Sequence, residues 1–227
     1  MKNSALIAAI LVFIMSCGQK QENNKTTDAQ PTREALQLDT ICDGRIHESE
    51  CIDRVEKHIL EEHSDWASRE GKTLHLSIEN GEDLSFTSND TPTPEKYISY
   101  RLTNYFPSLH AYLVHLTFYE GGTNKIINRK TGNMIETDGE VLVSPDHSRF
   151  LAYNRDLATT YSFNGFEVYS ASDNAYELQH REKLYWGPEN PTWLSNTKIE
   201  FVKISPMNFE PDGKAVYTLV DGKWVAE

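Results

Sequence analysis

The segment that decides the fold is NKIINRKTGNMIETDGEVLVSPDHSRFLAYN, residues 124–154. Apolar side chains such as Ile126, Ile135 and Leu151 stand in short runs, and glycine, proline, asparagine or aspartate separates one run from the next. Short runs bounded by these residues are typical of strands, because the bounding residues accept the backbone angles of tight turns. The segment therefore predicts four consecutive antiparallel strands.

The same pattern covers most of the chain, so that about 13 strands are predicted in all. Thr73–Thr87 is a predicted hairpin, in which Leu74, Leu76 and Ile78 alternate with polar residues before a turn at Asn80-Gly81. The sequence thus predicts a mainly β, antiparallel domain. The remaining predicted strands are Tyr97–Arg101, Ala111–Glu120, Phe166–Ser170, Tyr176–Tyr185, Lys198–Ile204, Ala215–Val220 and Lys223–Ala226.

Two stretches resemble blades of TolB-type propellers. In the first, Ile126–Gly132 (IINRKTG) ends in an Asn-x-x-Thr-Gly turn, and Val143–Ala152 (VSPDHSRFLA) passes through Ser-Pro-Asp into the next strand. In the second, Asn190–Asn196 (NPTWLSN) is similar to the entry of another blade. His147 stands where the family usually has glycine, and Asn196 stands where it often has aspartate.

The resemblance covers about residues 112–226 and implies propeller-like repeated sheets. Four-stranded blades would divide the predicted strands into three blades and a fraction, whereas closed propellers usually need four or more. The sequence leaves open whether the sheets close into a ring or form an open, curved array. The overall pattern also resembles a group of bacterial lipoproteins, and this likeness implies no activity.

An amphipathic helix is predicted over residues 48–69, ending before Gly71. Its apolar positions at helical spacing are Ile52, Val55, Ile59, Leu60 and Trp66. The histidines of this region, His47, His58 and His63, do not fall cleanly on one helix face, and no HExxH pattern occurs. We expect structural or solvated roles for them, and we expect neither a metal nor another cofactor.

The N-terminus is typical of an exported lipoprotein. Lys2 precedes an almost unbroken apolar run, Ala5–Met15, which is long enough for a signal-peptide core but too short to span a bilayer. The run ends in Ile14-Met15-Ser16-Cys17, which resembles a lipobox. Residues 1–16 are therefore the predicted signal peptide and Cys17 the predicted site of lipidation. The alternative is an ordinary secretory signal with a chance cysteine at its end.

Residues 17–40 form the predicted lipidated N-terminus and a disordered tether, because they are polar and poor in aromatic residues. A coil of some 20 residues reaches roughly 25 Å, so the domain, residues 41–227, would stand clear of the headgroups. Gly18 follows the cysteine where an inner-membrane retention signal would place aspartate. We therefore expect the outer membrane of a Gram-negative envelope.

The two cysteines that remain, Cys42 and Cys51, form an even pair in an oxidising compartment. A disulfide between them would close a short loop and contribute on the order of 2–3 kcal/mol in the chain-entropy model. The alternative is two buried thiols.

The formal net charge of −12 argues against nucleic acid and against anionic lipid headgroups as partners, since both require positive charge. No nucleophile elbow, phosphate loop, paired CxxC or zinc signature occurs, so no residue is predicted to be catalytic. Asp138-Gly139, Asp212-Gly213 and Asp221-Gly222 lack the carboxylates of a calcium loop and are predicted turns.

The leading hypothesis is a membrane-anchored, non-catalytic binding or scaffolding module for an envelope protein or glycan. Aromatic residues exposed on a β face or loop rim could serve that role, although most aromatics of half-buried sheets pack in cores. The alternative is an envelope hydrolase whose acids and histidine, such as Asp156, Glu167 and His180, meet in one pocket. The aromatic candidates are Tyr97, Tyr100, Tyr105, Phe106, Tyr112, Tyr185, Trp186 and Trp193.

Replacing Cys17 tests the anchor. We expect Cys17→Ser to abolish lipid labelling and to leave precursor or released protein, because the thiol is the atom that takes the diacylglycerol. Metabolic labelling with a fatty acid and fractionation of the envelope measure both effects, and Cys51→Ser, which keeps the lipobox, should remain labelled. Unchanged migration and membrane retention of Cys17→Ser would end the lipoprotein hypothesis.

Overall fold

The computed structural model describes Cys42 and residues 48–227. These residues form one α-helix, α1 (Glu48–Glu62), two short 3-10 helices, Pro94–Lys96 and Pro107–Leu109, and fifteen strands. The predicted signal peptide, Cys17, the tether and His47 lie outside the described residues. The strands are β1 (Ala67–Glu70), β2 (Thr73–Leu76), β3 (Leu84–Thr87), β4 (Ile98–Phe106), β5 (Ala111–Phe118), β6 (Gly122–Asn128), β7 (Met134–Thr137), β8 (Glu140–Val143), β9 (Arg149–Asn154), β10 (Gly165–Ala171), β11 (Tyr176–Lys183), β12 (Gly187–Ser195), β13 (Lys198–Ile204), β14 (Pro211–Val220) and β15 (Lys223–Ala226).

The strands form four antiparallel sheets in which neighbours along the chain are neighbours in space. Sheet 1 contains β1–β3, sheet 2 contains β4–β7, sheet 3 contains β8–β11 and sheet 4 contains β12–β15. None of the four closes on itself. The predicted mainly β, antiparallel fold with a helix before the strands is confirmed.

Three hydrophobic cores separate the sheets. The first core joins the helix and sheet 1 to one face of sheet 2, through Val55, Leu74 and Tyr112. The second joins the other face of sheet 2 to sheet 3, and the third joins the other face of sheet 3 to sheet 4. Alternate residues of a strand point to opposite faces, so Phe150 lies in the second core while Leu151 lies in the third. Sheets 2 and 3 are therefore covered on both faces.

The outer faces of the two outermost sheets carry polar pairs, and sheet 4 also exposes Val220 and Val225. On sheet 4, the ion pairs Lys198–Glu227 (2.8 Å) and Lys214–Glu200 (2.7 Å) cross the strands. On sheet 1, the Thr73 and Thr87 hydroxyls lie 3.0 Å apart across β2 and β3.

The helix is shorter than the sequence predicted. It ends at Glu62, and residues 67–70 form β1, which pairs with β2 through a two-residue turn at Gly71-Lys72. Trp66 therefore leaves the helix, although it still packs against the first core. The prediction of a helix to residue 69 was wrong. Trp66 and Ala67 continue the helical spacing of apolar residues, but residues 67–70 adopt the extended conformation because they pair with β2.

Residues 190–195 of the segment that resembles a blade entry belong to β12, an edge strand of sheet 4, and Asn196 lies in the turn before β13. The pairing of β12 with β13 shifts register between Glu189 and Thr192, and Asn190 has a φ of 45°. An edge strand tolerates Pro188 and Pro191, because one side of the strand needs no ladder hydrogen bonds.

The predicted disulfide is confirmed: Cys42 and Cys51 are bonded, with their Cα atoms 5.3 Å apart. Both cysteines pack against the first core, beside the start of the helix. Val55 and Ile59 are buried against sheets 1 and 2, and Ile52 is half-buried. The predicted packing of this helix face on the sheet is therefore confirmed for Val55 and Ile59.

A buried ion pair fixes the helix to the sheets. The carboxylate of Glu56, which is buried, accepts hydrogen bonds from Arg69 Nε and Nη2 at 2.7 Å each and from the backbone N–H of Leu102 at 2.8 Å. Arg69 lies on β1 and Leu102 on β4. One carboxylate thus joins α1, sheet 1 and sheet 2.

Removing Arg69 should be costly, because the buried Glu56 carboxylate would keep only the Leu102 N–H and the more distant Arg101 guanidinium, at 3.8 Å, as partners. We expect Arg69→Met to lower the free energy of unfolding by about 3–5 kcal/mol, whereas Glu56→Gln/Arg69→Met should recover at least half of that loss. The control is Arg54→Met, whose pair with Glu50 is exposed and should contribute less than about 1 kcal/mol. Urea unfolding of the four proteins measures these differences, and equal losses for Arg69→Met and Arg54→Met would contradict the assignment.

Candidate functional site

The loops of sheets 2–4 lie at two ends, because consecutive strands run in opposite directions. The chain passes from sheet 2 to sheet 3 through residues 138–139 and from sheet 3 to sheet 4 through residues 184–186, and both short loops lie at the same end. The loops at this end therefore follow one another from sheet to sheet. We call its loops the rim, which comprises residues 119–121, 138–139, 155–164, 184–186 and 205–210. The opposite end comprises residues 107–110, 129–133, 144–148, 172–175, 196–197 and 221–222.

Large apolar side chains are exposed on the rim and not on the loops of the opposite end. Five rim residues have large apolar side chains that are more than half exposed to solvent. They are Met207 (92%), Tyr185 (78%), Tyr161 (72%), Tyr119 (65%) and Phe209 (55%). Exposed apolar residues that stand singly are ordinary, but a group of them at one end of a domain is typical of an interaction site.

The longest rim loops contact one another. Arg155 Nη1 pairs with Glu189 Oε2 at 2.9 Å, which joins loop 155–164 to the start of β12. Gly187 lies so close beneath Arg155 that an added Cβ would come within 2.6 Å of the Arg155 side chain. Phe209, from loop 205–210, lines a depression of about 430 Å³ together with residues 154–159 and Ser162. Tyr161, Tyr185 and Phe209 therefore belong to loops of one connected surface.

Asp156 holds the largest rim loop in place. Its carboxylate accepts hydrogen bonds from the backbone N–H groups of Thr159 (2.8 Å), Thr160 (2.9 Å) and Ser162 (2.8 Å). Burial opposes ionisation, but these bonds and the Thr159 hydroxyl outweigh it and lower the pKa of Asp156 to about 2. The hydrogen bonds to the ionised carboxylate therefore stabilise the folded loop fully above about pH 4, and this stabilisation is lost only as the pH falls through about 2. Tyr161 is consequently carried on an ordered turn at neutral pH.

The predicted hydrolase trio does not converge. Glu167 is buried and accepts hydrogen bonds from Thr137 Oγ1 (2.7 Å) and Tyr169 (3.0 Å), between sheets 2 and 3. His180 is paired in register with Val168, the neighbour of Glu167, and therefore lies on the other face of sheet 3. The Asp156 carboxylate accepts hydrogen bonds from backbone N–H groups of its own loop. These three residues form no common pocket.

The described histidines of the N-terminal region also stay apart. His58 pairs with Glu62 on the helix surface, at 3.4 Å, whereas His63 stacks on Trp66 with ring centroids 4.2 Å apart. Burial lowers the pKa of His63 and so favours the neutral ring. Among the described residues, no group of three histidine, cysteine, aspartate or glutamate side chains could hold a metal ion.

The aromatic candidates divide into core and surface. Tyr185 is exposed, whereas Phe106, Tyr112, Trp186 and Trp193 are buried. The half-buried remainder are Tyr97, Tyr100 and Tyr105. Sequence reasoning missed Tyr119, Tyr161, Met207 and Phe209. The signal that could have found them is a large apolar residue inside a polar loop, as in Ser205-Pro206-Met207-Asn208-Phe209, where no strand alternation requires it.

A larger groove, of about 770 Å³, lies between the helix and the start of β4. Its four cations are already paired: Arg69 with Glu56, Arg101 with Asp53 at 2.7 Å, Lys72 with Asp90, and Lys57 with Glu61 at 3.8 Å. A groove whose charges neutralise one another offers little to an ionic ligand. We therefore assign the polar residues of this groove to the packing of the helix and place the candidate site on the rim.

Comparison with known proteins adds no family to this description. No protein-family model matches the chain, and no curated protein is significantly similar to it in sequence. In the part of the chain that the structure describes, no helix is both long enough and apolar enough to cross a membrane.

The Ser-Pro-Asp turn lies at the opposite end from the rim, between β8 and β9. As predicted, Asp146 Oδ1 accepts a hydrogen bond from the backbone N–H of Ser148 (3.1 Å), and it accepts a second from Ser144 Oγ (2.8 Å). Partial burial opposes ionisation, but these bonds lower the pKa of Asp146 below its usual value. His147 has a φ of 60°, the left-handed conformation expected at a position where glycine is usual. Val143 and Leu151 are both buried, but in different cores.

This geometry predicts a structural role for the turn. We expect Asp146→Ala to cost about 1.5–3 kcal/mol of unfolding free energy, because charge-assisted hydrogen bonds are lost. His147→Gly should be neutral or mildly stabilising, because glycine adopts a positive φ without a steric penalty. Thermal melting of both variants beside wild type measures these effects. An Asp146→Ala protein that melts like wild type would show that the carboxylate does not hold the turn.

Proposed function

We propose that this protein is a lipid-anchored module of the bacterial envelope that binds a protein or glycan through its rim. The observation that carries the proposal is the one-sided exposure of Tyr119, Tyr161, Tyr185, Met207 and Phe209. Binding residues are concentrated on loops that a rigid scaffold positions. Here the scaffold consists of sheets 2–4, and at their opposite end the exposed apolar side chains are Met134, Leu194 and Val220, which are less exposed (42–50%) and lie on strand ends beside the loops.

The anchor and the compartment belong to the same proposal. The apolar run before Cys17 and the small residue Ser16 support export and lipidation. The Cys42–Cys51 disulfide supports an oxidising compartment, such as the periplasm or cell surface. Gly18 after the cysteine favours the outer membrane of a Gram-negative cell. Three acyl chains would make the attachment effectively permanent, since a single chain binds only marginally.

We further infer a propeller-like arrangement that stays open. Three four-stranded meanders follow one another along the chain, and each packs face to face on the next, as consecutive blades do. In a closed ring every sheet would have two covered faces. The ion pairs on the outer face of sheet 4 and the hydroxyl contact on that of sheet 1 support an open array.

Binding through the rim can be tested on the full lipidated chain. We expect the triple variant Tyr185→Ser/Met207→Ser/Phe209→Ser to lose at least about tenfold of its capture of envelope material, because a few exposed apolar residues carry most of an interface's affinity. The measurement is quantitative affinity capture from detergent-solubilised envelopes, with protein and glycan both analysed. Thermal melting checks that the variant is folded.

The matched control is Leu194→Ser/Val220→Ser, which removes two side chains that are 50% and 49% exposed but lie outside the rim. Capture by this control should equal that of wild type. If the rim triple variant captures as much as the control, the rim is not the binding surface. If the wild type enriches neither protein nor glycan, the binding role itself fails.

A further inference from the structure

Resting on the proposed function, we infer that the partner at the rim is a membrane-resident protein whose apolar contact site is bordered by lysine and arginine. The composition of the rim gives the first reason. Methionine, phenylalanine and tyrosine are enriched in protein–protein interfaces, and methionine adapts its shape to an apolar partner surface. Met207, the most exposed of the five side chains, therefore favours a protein over a glycan.

The charge of the rim gives the second reason. Its loops contain the acids Glu120, Asp138, Asp156 and Glu210, and one base, Arg155, which is paired with Glu189. Beside the loops, Arg181 stacks over Phe163 and is paired with Glu167, and Lys183 is exposed. Complementary potentials across an interface speed association, and like charges in contact oppose it. A basic border on the partner matches this rim. A second copy of this chain, or an anionic lipid surface, would bring negative charge against the negatively charged rim.

The course of the helix gives the third reason, because it shows from which end the N-terminal segment reaches the domain. Asp53 pairs with Arg101 at 2.7 Å, and the His63 ring lies 5.4 Å from that of Tyr105, so α1 runs alongside β4 in the same direction. β4 begins at the rim end, since Ile98 pairs with Phe118, the residue before the rim. The start of the helix and the Cys42–Cys51 bridge therefore lie toward the rim end.

A lipid on Cys17 would consequently tether the domain from the end that carries the rim. With about 24 residues between Cys17 and Cys42, the rim stays within a few nanometres of the bilayer. A partner in the same membrane is then present at a high effective concentration, so that even a weak interface becomes occupied. A freely diffusing partner would gain nothing from this geometry.

The experiment uses the full lipidated chain in its own cells, with the photo-crosslinking amino acid p-benzoylphenylalanine as the probe. The probe replaces Tyr185, Met207 or Phe209 on the rim, and Leu194 or Val220 as matched exposed controls. We expect one protein adduct in the membrane fraction, common to the three rim positions and absent from the two controls. The crosslinked peptide should contain apolar residues beside lysine or arginine.

Charge-reversal variants in the same crosslinking experiment test the basic border of the partner. We expect Glu120→Lys/Glu210→Lys to lower the adduct yield at least tenfold, whereas Glu177→Lys, an exposed acid at the start of β11 at the opposite end, leaves it unchanged. Releasing the chain with Cys17→Ser should lower the yield as well, because the effective concentration is lost. Melting curves show whether each variant is folded.

The possible failures are distinguishable. A rim adduct that consists of a second copy of this chain, or of lipid, overturns the inference, and so does a protein adduct whose yield resists charge reversal. A glycan adduct confined to the rim overturns the protein partner but leaves the proposed binding role intact. No adduct at any rim position, together with unchanged envelope capture by the rim triple variant, overturns both.

Discussion

The structure depends on one constraint, namely that sheets 2 and 3 are apolar on both faces. Leu113 and Val114, adjacent on β5, point into different cores, as do Phe150 and Leu151 on β9. Such a sheet is stable only when another layer covers each side, because exposure of either face would leave a large apolar surface in water. The helix with sheet 1 covers one side of the pair, and sheet 4 covers the other.

Buried carboxylates fix how these layers sit on one another. Glu56 joins the helix to β1 and β4, and Glu167 joins β10 to Thr137 on β7. Beside Glu167, burial and the neighbouring carboxylate raise the pKa of Tyr169, so its hydroxyl stays protonated and donates. Apolar packing alone allows layers to slide, whereas a carboxylate that must keep particular donors allows one arrangement.

The two ends of the stacked sheets serve different purposes. At the opposite end the loops are short and internally bonded, as in the Ser144–Ser148 turn. At the rim, loops 155–164 and 205–210 are longer. Asp156 orders the first of them internally, and the Arg155–Glu189 pair beside Gly187 holds it close to sheet 4. This order matters for binding, since a loop that is already arranged loses less conformational entropy when a partner docks.

The sequence by itself determined the class of fold, the hairpin at residues 73–87 and the Asp146 turn, because each follows from local spacing and turn chemistry. It also predicted the Cys42–Cys51 disulfide, from an even pair of cysteines in an oxidising compartment, but left two buried thiols as the alternative. It could not place β1, since Ala67–Glu70 fits a helix until β2 pairs with it, nor β12, whose prolines are tolerated only at an edge. It also could not assemble the rim. Tyr119, Tyr161, Tyr185 and Phe209 are far apart along the chain, and only the stacking of sheets 2–4 brings their loops to one end.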